Sequence, residues 1–374
     1  MQRSTLLLIG LAALLPLLAL AALLWRRFYR DDPANTARRV VKNSAVPLTL
    51  RLFVRALDMA FLLILQRTLD APQIGPYDLA VLFVGIYLAT ITEFGLGVLL
   101  TREAARDPAA APRLFGSTLA LRLLMVLCGA APATLLLLGG YGLLSSAGLV
   151  ESITPAGQQA IWVLLLTLLP SAYSSAVTAL YNAAERMEVP ALIEVATAVI
   201  SMAARLAVLW LGFGIVGLSW AAVGVSTITA LIFFRLQRRD FFTPTLRWDW
   251  IELRLLAVLA LPLMFNNLLN TVFFRFDTFI VKAFGDGQGD FLVNQYNVAY
   301  KVISIATILT PAVTFAVFPT LSRRATGERT ALAHAQNSTL SVLLLLAFPI
   351  AAGISVLAPE LVLLVNGSKA LEYG

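Results

Sequence analysis

Charged side chains lie inside sequence segments that are otherwise apolar enough for the interior of a lipid bilayer. Arg51, Arg55 and Asp58 fall within about 60° of one face if their segment is helical. Asp58 can then neutralise one arginine and leave the other cationic. Because an arginine guanidinium binds phosphate oxygens through two parallel hydrogen bonds, this face predicts a site for a phosphate-bearing ligand. A set of interhelical ion pairs is the alternative interpretation.

A second group of charges lies in the apolar stretch VFFRFDTFIVKAFG. Arg275 and Asp277 differ by about 200° around a straight helix and cannot both face one cavity. Asp277 shares a face with Asn266 and Asn270, and we predict that this polar strip lines a lumen. Lys282 lies on the same side as Arg275, and it is expected to extend towards the membrane surface.

Ion pairing between helices is the next expectation. Asp277 and Lys301 lie at similar depths in their predicted helices and form the preferred interhelical pair, either as a fixed strut or as a contact that breaks during function. The candidate binding cations are Arg51, Arg55, Arg122, Arg205, Arg275 and Lys301. The carboxylates Asp58, Asp277, Glu93 and Glu194 are candidates for ion pairing or for coupling to a proton or sodium ion. For Arg122 and Glu93, side chains that partly reach the interface are the alternative.

Membrane-spanning helices must position these side chains. The chain is 59% hydrophobic and 13% charged, with a mean hydropathy of +0.83, far from the composition of a soluble domain. Its apolar runs have the length of about 20 residues that lets a helix cross a bilayer. We therefore predict an all-α polytopic integral membrane protein with about ten transmembrane helices. The predicted spans are Leu6–Trp25, Ala45–Gln66, Leu79–Leu100, Leu114–Leu138, Ala160–Tyr181, Pro190–Leu211, Ile215–Phe234, Leu255–Phe284, Val293–Val317 and Thr339–Leu357.

The distribution of the basic residues predicts the topology. The formal net charge of +7 is spread over short loops rather than gathered on one face, which argues against a nucleic-acid-binding protein. Basic loops such as the one after Arg102 are predicted to be cytoplasmic, whereas residues 139–159 contain no Lys or Arg and should lie outside. A single cysteine, Cys128, and a single histidine, His334, argue against an internal disulfide and a zinc cluster. Neither a metal nor a cofactor is expected.

An internal repeat relates two parts of the chain. Asp58 precedes Tyr77 by 19 residues, and Asp277 precedes Tyr296 by the same number, at an offset of 219 residues. The segments YDLA and YNVA follow at equivalent positions, although chance similarity between apolar helices is the alternative. The offset predicts parallel halves. The predicted regions are an additional N-terminal helix in residues 1–30, a first six-helix bundle in 31–236, a cytoplasmic interfacial linker in 237–254 and a partial second bundle of three helices in 255–374.

The two ends of the chain carry separate expectations. Residues 1–21 resemble a cleavable signal peptide, but the charge distribution favours an uncleaved first helix. At the other end, the repeat predicts three further helices after Gly374, so we expect the second half to be incomplete.

A succession of short motifs resembles the polysaccharide transporter family, the O-antigen and exopolysaccharide flippases of the multidrug/oligosaccharidyl-lipid/polysaccharide exporter superfamily. The motifs are Asn35-Thr36, Glu93-Phe94-Gly95-Leu96, Leu100-Thr101-Arg102-Glu103, Pro262-Leu263, Arg275-Phe276-Asp277, Tyr296-Asn297-Val298-Ala299-Tyr300-Lys301 and Phe318-Pro319-Thr320-Leu321-Ser322. The resemblance covers nearly the whole chain after Asn35. It implies two helical bundles that move undecaprenyl-pyrophosphate-linked oligosaccharides across the bacterial inner membrane.

The predicted function is therefore that of a flippase working by alternating access, not of an enzyme. Its expected partners are the lipid-linked oligosaccharide, the lipid bilayer and the polysaccharide polymerase machinery. Three alternatives are a cation-coupled small-molecule exporter of the same superfamily, a membrane glycan polymerase or glycosyltransferase, and an inactive fragment. The exporter would need a cavity rich in acids. The enzyme would need outer catalytic acids, and the longest predicted outer loop carries only Glu151.

Overall fold

The computed structural model describes residues 36–306 and 329–366, and within these ranges the chain is α-helical and contains no β-strand. The first half contains helices α1 (Thr36–Thr68), α2 (Ala71–Leu82), α3 (Ala89–Glu93), α4 (Leu96–Arg106), α5 (Ala111–Met125), α6 (Ala131–Ser146), α7 (Pro155–Leu165), α8 (Leu168–Ala183), α9 (Glu188–Leu211) and α10 (Gly214–Asp240). The second half contains α11 (Trp250–Arg275), α12 (Asp277–Ala283), α13 (Gly289–Ala306), α14 (Arg329–Val356) and α15 (Ala358–Asn366). Short π-helical turns at Phe83–Leu88 and Val126–Ala130 join α2 to α3 and α5 to α6.

Six helical stretches in the described ranges are long and apolar enough to cross a bilayer, and a bent pair at Leu343–Val356 and Ala358–Val365 would make seven. The six are Ala71–Arg106, Pro108–Ser146, Pro155–Ala183, Glu188–Leu211, Gly214–Asp240 and Trp250–Arg275. Helices α1 and α13 coincide with predicted spans but are not among these six. The all-α membrane fold is thus confirmed, whereas the count of about ten spans is not.

Several predicted features lie wholly or partly outside the described residues. These are the first span, Leu6–Trp25, the end of the ninth span, and the motif at residues 318–322. The predicted eighth span, Leu255–Phe284, is divided in the structure, because α11 ends at Arg275 and α12 begins at Asp277.

Apolar packing in the first half holds α1 against α9. Leu57, Phe61 and Leu65 recur at intervals of four residues on α1, so they form one stripe on a single helical face. This stripe packs against Met202 and Leu206 of α9. The charged residues of α1 lie on the other faces of this helix.

The motif Glu93-Phe94-Gly95-Leu96 interrupts the helical stretch Ala71–Arg106. Phe94 and Gly95 have φ angles of 53° and 70°, in the left-handed region that ends an α-helix. A Cβ atom added to Gly95 would lie 2.6 Å from Cβ of Leu263, so the glycine also permits the close approach of α11. The motif therefore positions the second half against the first.

Helix α11 exposes a largely apolar surface. Ile251 and Phe273 are 83% and 82% exposed, although both are large apolar side chains. Without surrounding lipid this surface would be highly unfavourable in water, so it is typical of a helix at the periphery of a membrane bundle.

The connection between the halves differs in part from the predicted interfacial linker. Helix α10 continues to Asp240, and residues 241–249 are not helical. Phe241 packs on Tyr181 with ring centroids 4.9 Å apart, and Phe242 packs on Phe115 at 5.8 Å. This segment is therefore fixed to the first half, while Trp248 remains 53% exposed.

The two halves meet where α2 crosses α13. A Cβ atom added to Gly75 would overlap the backbone of Asp290, so the two helices touch at this glycine. At the repeat offset of 219 residues, α2 corresponds to residues 290–301 of α13. These two helices thus form one of the contacts between the halves.

A buried ion cluster lies beside this crossing, and we call it the clasp. The Nζ atom of Lys282 lies 2.9 Å from Oε1 of Glu151 and 2.8 Å from Oδ1 of Asp290. The Lys282 side chain is fully buried, so the expectation that it extends to the membrane surface is wrong. Because two carboxylates surround it, burial is compensated by pairing.

Backbone groups complete the clasp. The backbone N–H of Gly289 donates to Glu151 at 2.7 Å, and the N–H of Glu151 donates to the carbonyl of Ala283 at 3.1 Å. Asp290 precedes the predicted ninth span, at the start of α13. Burial raises the pKa of its carboxyl group, while the Lys282 ammonium acts in the opposite direction.

Candidate ligand cavity between the halves

A cavity of about 270 Å³ lies between residues of both halves. Its lining comes from α1, α2 and the following π-turn, α9, α11 and α13. The residues that line it are Arg55, Asp58, Met59, Phe61, Leu62, Leu65, Tyr77, Asp78, Val81, Leu82, Ile86, Arg205, Arg275, Asn297, Lys301 and Ser304. It is small beside the roughly 300–1,000 Å³ of sites that enclose a drug-sized molecule. It can therefore hold one chemical group of a larger ligand.

Positive charge exceeds negative charge in this lining. Four side chains are cationic and two are anionic, which leaves a formal excess of two positive charges among the described residues. The cations are Arg55, Arg205, Arg275 and Lys301, and the anions are Asp58 and Asp78. Four of the six predicted binding cations thus meet in one cavity, although their helices are far apart in sequence.

Asp58 forms an ion pair with α9 rather than with an arginine of its own helix. Its Oδ1 lies 3.7 Å from Nη1 of Arg205, whose guanidinium also stacks over the ring of Phe61 at 5.0 Å. The expectation that Asp58 neutralises a neighbouring arginine on α1 is therefore wrong. The pair is a surface contact of the cavity, since the Asp58 side chain is 52% exposed.

Lys301 is paired with Asp78, not with Asp277. Its Nζ lies 3.4 Å from Oδ1 of Asp78, and the amide of Asn294 donates to the other carboxylate oxygen at 3.2 Å. The predicted Asp277–Lys301 pair is corrected by this geometry. The prediction used only the similar depth of Asp277 and Lys301 in their helices. Depth alone does not determine which carboxylate faces the lysine.

Asp277 is instead held by two tyrosines of α13. The hydroxyl groups of Tyr296 and Tyr300 both donate to its Oδ2 atom, the latter at 2.7 Å. Arg275 lies over the ring of Tyr300 at 4.2 Å from its centroid. The Asp277 carboxylate is therefore hydrogen-bonded to tyrosine hydroxyl groups. The Arg275 guanidinium makes a cation–π contact instead of an ion pair with it.

Two cavity cations have no carboxylate partner within the described part of the chain. Arg55 and Arg275 line the cavity from α1 and α11, and no ion pair with a described residue involves either of them. Arg55 is exposed to the cavity. These two guanidinium groups are consequently the ones most available to an anionic ligand.

Two other predicted cations lie elsewhere. Arg51 is 70% exposed, and its Nε is 3.8 Å from Glu194 across α1 and α9. Arg122 is enclosed among α3, α5 and α8, where its Nη1 donates to the carbonyl of Ala172 at 3.0 Å and its Nη2 lies 3.9 Å from Glu93. Arg122 neither lines the cavity nor reaches the interface, because its side chain is 1% exposed.

The predicted polar strip on α11 does not line this cavity. Asn266 and Asn270 are exposed, and the amide of Asn270 donates to the backbone carbonyl of Asn266 at 3.1 Å. The helix ends before Asp277, so an angle calculated for a continuous helix does not carry over to that residue. Thr271 provides one polar contact from α11 to the first half, with its hydroxyl 3.4 Å from that of Thr90, and Glu252 provides another, 3.1 Å from Nε of Arg113.

Some lining residues were not identified as candidates from the sequence. Asp78, Asn297 and Ser304 belong to this set. A signal for two of them was present, because Asp78 and Asn297 occupy equivalent positions in the repeat. No cluster of three or more metal-ligating side chains occurs in residues 36–306 and 329–366.

A family profile of polysaccharide biosynthesis proteins matches residues 40–324. The match covers well over half of the chain, which therefore belongs to this family. No curated protein gives a significant match.

The fold is similar to that of solved transporters of the MOP superfamily. The chain is 17% identical to a MOP superfamily transporter from Pyrococcus furiosus, with a TM-score of 0.59, and the match covers 92% of this chain and 76% of that one. That transporter is described as having a binding pocket of reverse polarity. An outward-facing multidrug resistance MATE transporter is 18% identical with a TM-score of 0.57 and the same coverage. A Vibrio cholerae MATE transporter is 15% identical with a TM-score of 0.52, over 90% of this chain and 77% of that one.

Proposed function

We propose that this membrane protein is a flippase that translocates polyprenyl-pyrophosphate-linked oligosaccharide for the synthesis of a cell-surface polysaccharide such as O-antigen or exopolysaccharide. The observation that carries the proposal is the excess of cationic over anionic side chains in the cavity between the halves. The family match to polysaccharide biosynthesis proteins and the transporter fold support the same class of function.

The charge of the cavity suits the diphosphate group of such a lipid. A diphosphate esterified at both ends carries two negative charges, equal to the formal excess among the lining residues. Arg55 and Arg275 supply planar, bidentate donors from different halves, so one diphosphate can bridge them. The small cavity would hold the diphosphate alone, while the glycan occupies water and the polyprenyl chain remains in lipid.

Transport would proceed by alternating access, in which the two halves move about a central site. The proposed halves are a first bundle in residues 31–236 and a second bundle from residue 255, joined by the segment in 237–254. The proposed location is the bacterial inner membrane. No covalent bond is made or broken in this cycle, and polymerase machinery would use the delivered product on the outer side.

A cation-coupled exporter of the same superfamily is the second candidate, because MATE transporters are equally close in fold. An organic cation entering the described cavity would meet Arg55 and Arg275 without a compensating carboxylate. Electrostatic repulsion at short range in a partly desolvated site therefore favours an anionic ligand.

The test is a translocation assay in sealed proteoliposomes that contain a lipid-linked oligosaccharide. The fraction of lipid accessible to a glycan-cleaving enzyme outside the vesicles should rise when the protein is present. Arg55→Ala should slow this exchange on the order of tenfold or more, since a charge-assisted hydrogen bond contributes about 1.5–3 kcal/mol.

The matched control is Arg102→Ala, which removes an exposed arginine paired with Glu103 at 2.8 Å, away from the cavity. This variant should exchange lipid at the wild-type rate. Equal exchange in vesicles with and without wild-type protein, or equal slowing by the two alanine variants, would contradict the proposal.

A further inference from the structure

The clasp joins the two halves through side chains that the ligand cavity does not use. Glu151 belongs to the connection between α6 and α7 in the first half, whereas Lys282 and Asp290 belong to α12 and α13 in the second. The backbone bonds of Glu151 to Gly289 and Ala283 connect the same two regions. Glu151 therefore binds the second half through both its side chain and its backbone N–H group.

The clasp lies beyond one end of the cavity. The cavity-lining residues of α2 begin at Tyr77, which follows Gly75 in the sequence. Those of α13 begin at Asn297, which follows Asp290. Asp290 and Asn297 are separated by about 10 Å along the helix, because each residue adds about 1.5 Å. The contact of Gly75 with Asp290 and the clasp both lie at the end of the α2–α13 pair that precedes the cavity-lining residues.

Burial makes the clasp costly to open. The Lys282 side chain is fully buried, and those of Glu151 and Asp290 are 21% and 12% exposed. Separating a buried ammonium from its carboxylates leaves unpaired charges until water reaches them. Opening the clasp therefore requires water to reach Lys282 and both carboxylates.

We propose that the clasp is a gate of the cavity. Glu151 holds α12 and α13 in place, so that the cavity stays closed on the side of the α6–α7 connection. The charge distribution predicts that this is the outer side. The inference rests on the proposed transport cycle but not on the identity of the substrate. Breaking the Glu151–Lys282 contact should shift the protein towards the state in which the cavity opens on this side.

The experiment measures access to the cavity without any substrate. Ser304 lines the cavity, and Cys128 is the only native cysteine and is exposed. In a Cys128→Ser background, Ser304→Cys provides a single thiol. Its reaction rate with a membrane-impermeant thiol reagent is measured in sealed vesicles of known orientation, with the reagent on the side of the α6–α7 connection.

Glu151→Gln should raise this reaction rate about tenfold, since a state of low population becomes substantially populated. The control is Glu103→Gln, which removes a carboxylate paired with Arg102 and Arg106 at the surface and should leave the rate unchanged. Equal rates in the Glu151→Gln and Glu103→Gln proteins would overturn the proposal.

A variant at the other member of the pair tests the same contact from the second half. Lys282→Gln removes the ammonium that contacts Glu151, so it should raise the reaction rate about as much as Glu151→Gln does. A wild-type rate in the Lys282→Gln protein would count against the ion pair as the gate. If Glu151→Gln does not accumulate as folded protein, Glu151→Asp keeps the charge but shortens the reach, and should give an intermediate rise.

These results are independent of the lipid translocation assay. A normal gate response without oligosaccharide transport would reject the proposed substrate and retain the gate. Transport of oligosaccharide without any change in thiol access in the Glu151 variants would reject the gate and retain the substrate.

Discussion

The clasp and the cavity are two groups of ionisable side chains that link the same two halves, yet their charges are balanced in opposite ways. In the clasp, one fully buried lysine has two carboxylate partners. In the cavity, four cations share two carboxylates, and the space beside them is empty of protein atoms. Charged side chains that are paired within the protein hold helices together. An excess of positive side chains around a cavity favours the binding of an anionic ligand.

Two aspartates that the sequence repeat aligns, one in each half, also differ in their partners. Asp58 and Asp277 are equivalent by sequence offset, but Asp58 pairs with Arg205 and Asp277 accepts bonds from tyrosines. A neutral partner in the second half leaves Arg275 unneutralised. Arg275 therefore contributes to the positive surplus of the cavity without a carboxylate partner among the described residues.

The largest expected effect is on the clasp. Lys282→Ala would leave Glu151 and Asp290 close together without their cation, and breaking a buried ion pair in this way costs about 3–5 kcal/mol. We expect a marked fall in the thermal unfolding midpoint of the detergent-solubilised protein, measured by loss of the monodisperse chromatographic peak. Arg102→Ala should leave the midpoint nearly unchanged, and equal midpoints for the two variants would show that the clasp is not stabilising.

The second expected effect is on ligand binding. Arg275→Ala should weaken the binding of a short-chain prenyl pyrophosphate by roughly tenfold or more, because it removes a charged donor from the cavity. Its unfolding midpoint should stay close to that of the wild type, since Arg275 has no carboxylate partner among the described residues. Titration calorimetry and thermal unfolding of the same preparation check both parts. A large loss of stability with unchanged affinity would reverse the roles assigned to the two regions.

A third prediction has the opposite sign. Asp78→Asn keeps the side-chain volume but removes the carboxylate that lies 3.4 Å from Lys301. The formal surplus of the cavity rises by one, so prenyl pyrophosphate should bind about threefold more tightly at low ionic strength, with a steeper loss of affinity on adding salt. The matched change Glu194→Gln, outside the cavity, should not alter affinity. Weaker binding in Asp78→Asn would mean that this carboxylate is needed to shape the site.

The smallest effect is expected at Arg51. This arginine is largely exposed and contacts Glu194 outside the cavity, and exposed pairs contribute about 0–1 kcal/mol. Arg51→Ala should leave the unfolding midpoint nearly unchanged and should change the affinity for prenyl pyrophosphate by no more than about twofold. An effect as large as that of Arg275→Ala would place Arg51 in the binding site after all.

The sequence predicts the all-α membrane fold and all four cations of the described cavity for a simple physical reason. A long apolar run has few structural alternatives in a bilayer, and a charge within it must face protein or water. Arg55, Arg205, Arg275 and Lys301 were found by this criterion, and the structure brings them together. The same criterion also selected Arg122, which is buried in a local contact instead.

Pairing between distant residues was beyond sequence reasoning. Lys282 meets Glu151 across 131 positions, and no local pattern relates them. The break between α11 and α12 at Phe276 likewise invalidated the predicted common face of Asn270 and Asp277, because helical angles add only along a continuous helix. Asp78 was visible in the repeat, but its role depends on a neighbour from the other half.

The central claim is that the cavity binds a diphosphate anion, and the most direct measurement compares three ligands on the wild-type protein. Binding of a short-chain prenyl pyrophosphate, the matching prenyl alcohol and a lipophilic organic cation is measured by calorimetry under one set of conditions. We predict that the pyrophosphate binds, that the alcohol does not, and that an excess of the cation fails to compete. Binding of the cation with displacement by the alcohol, but not by the pyrophosphate, would contradict the claim and favour an exporter.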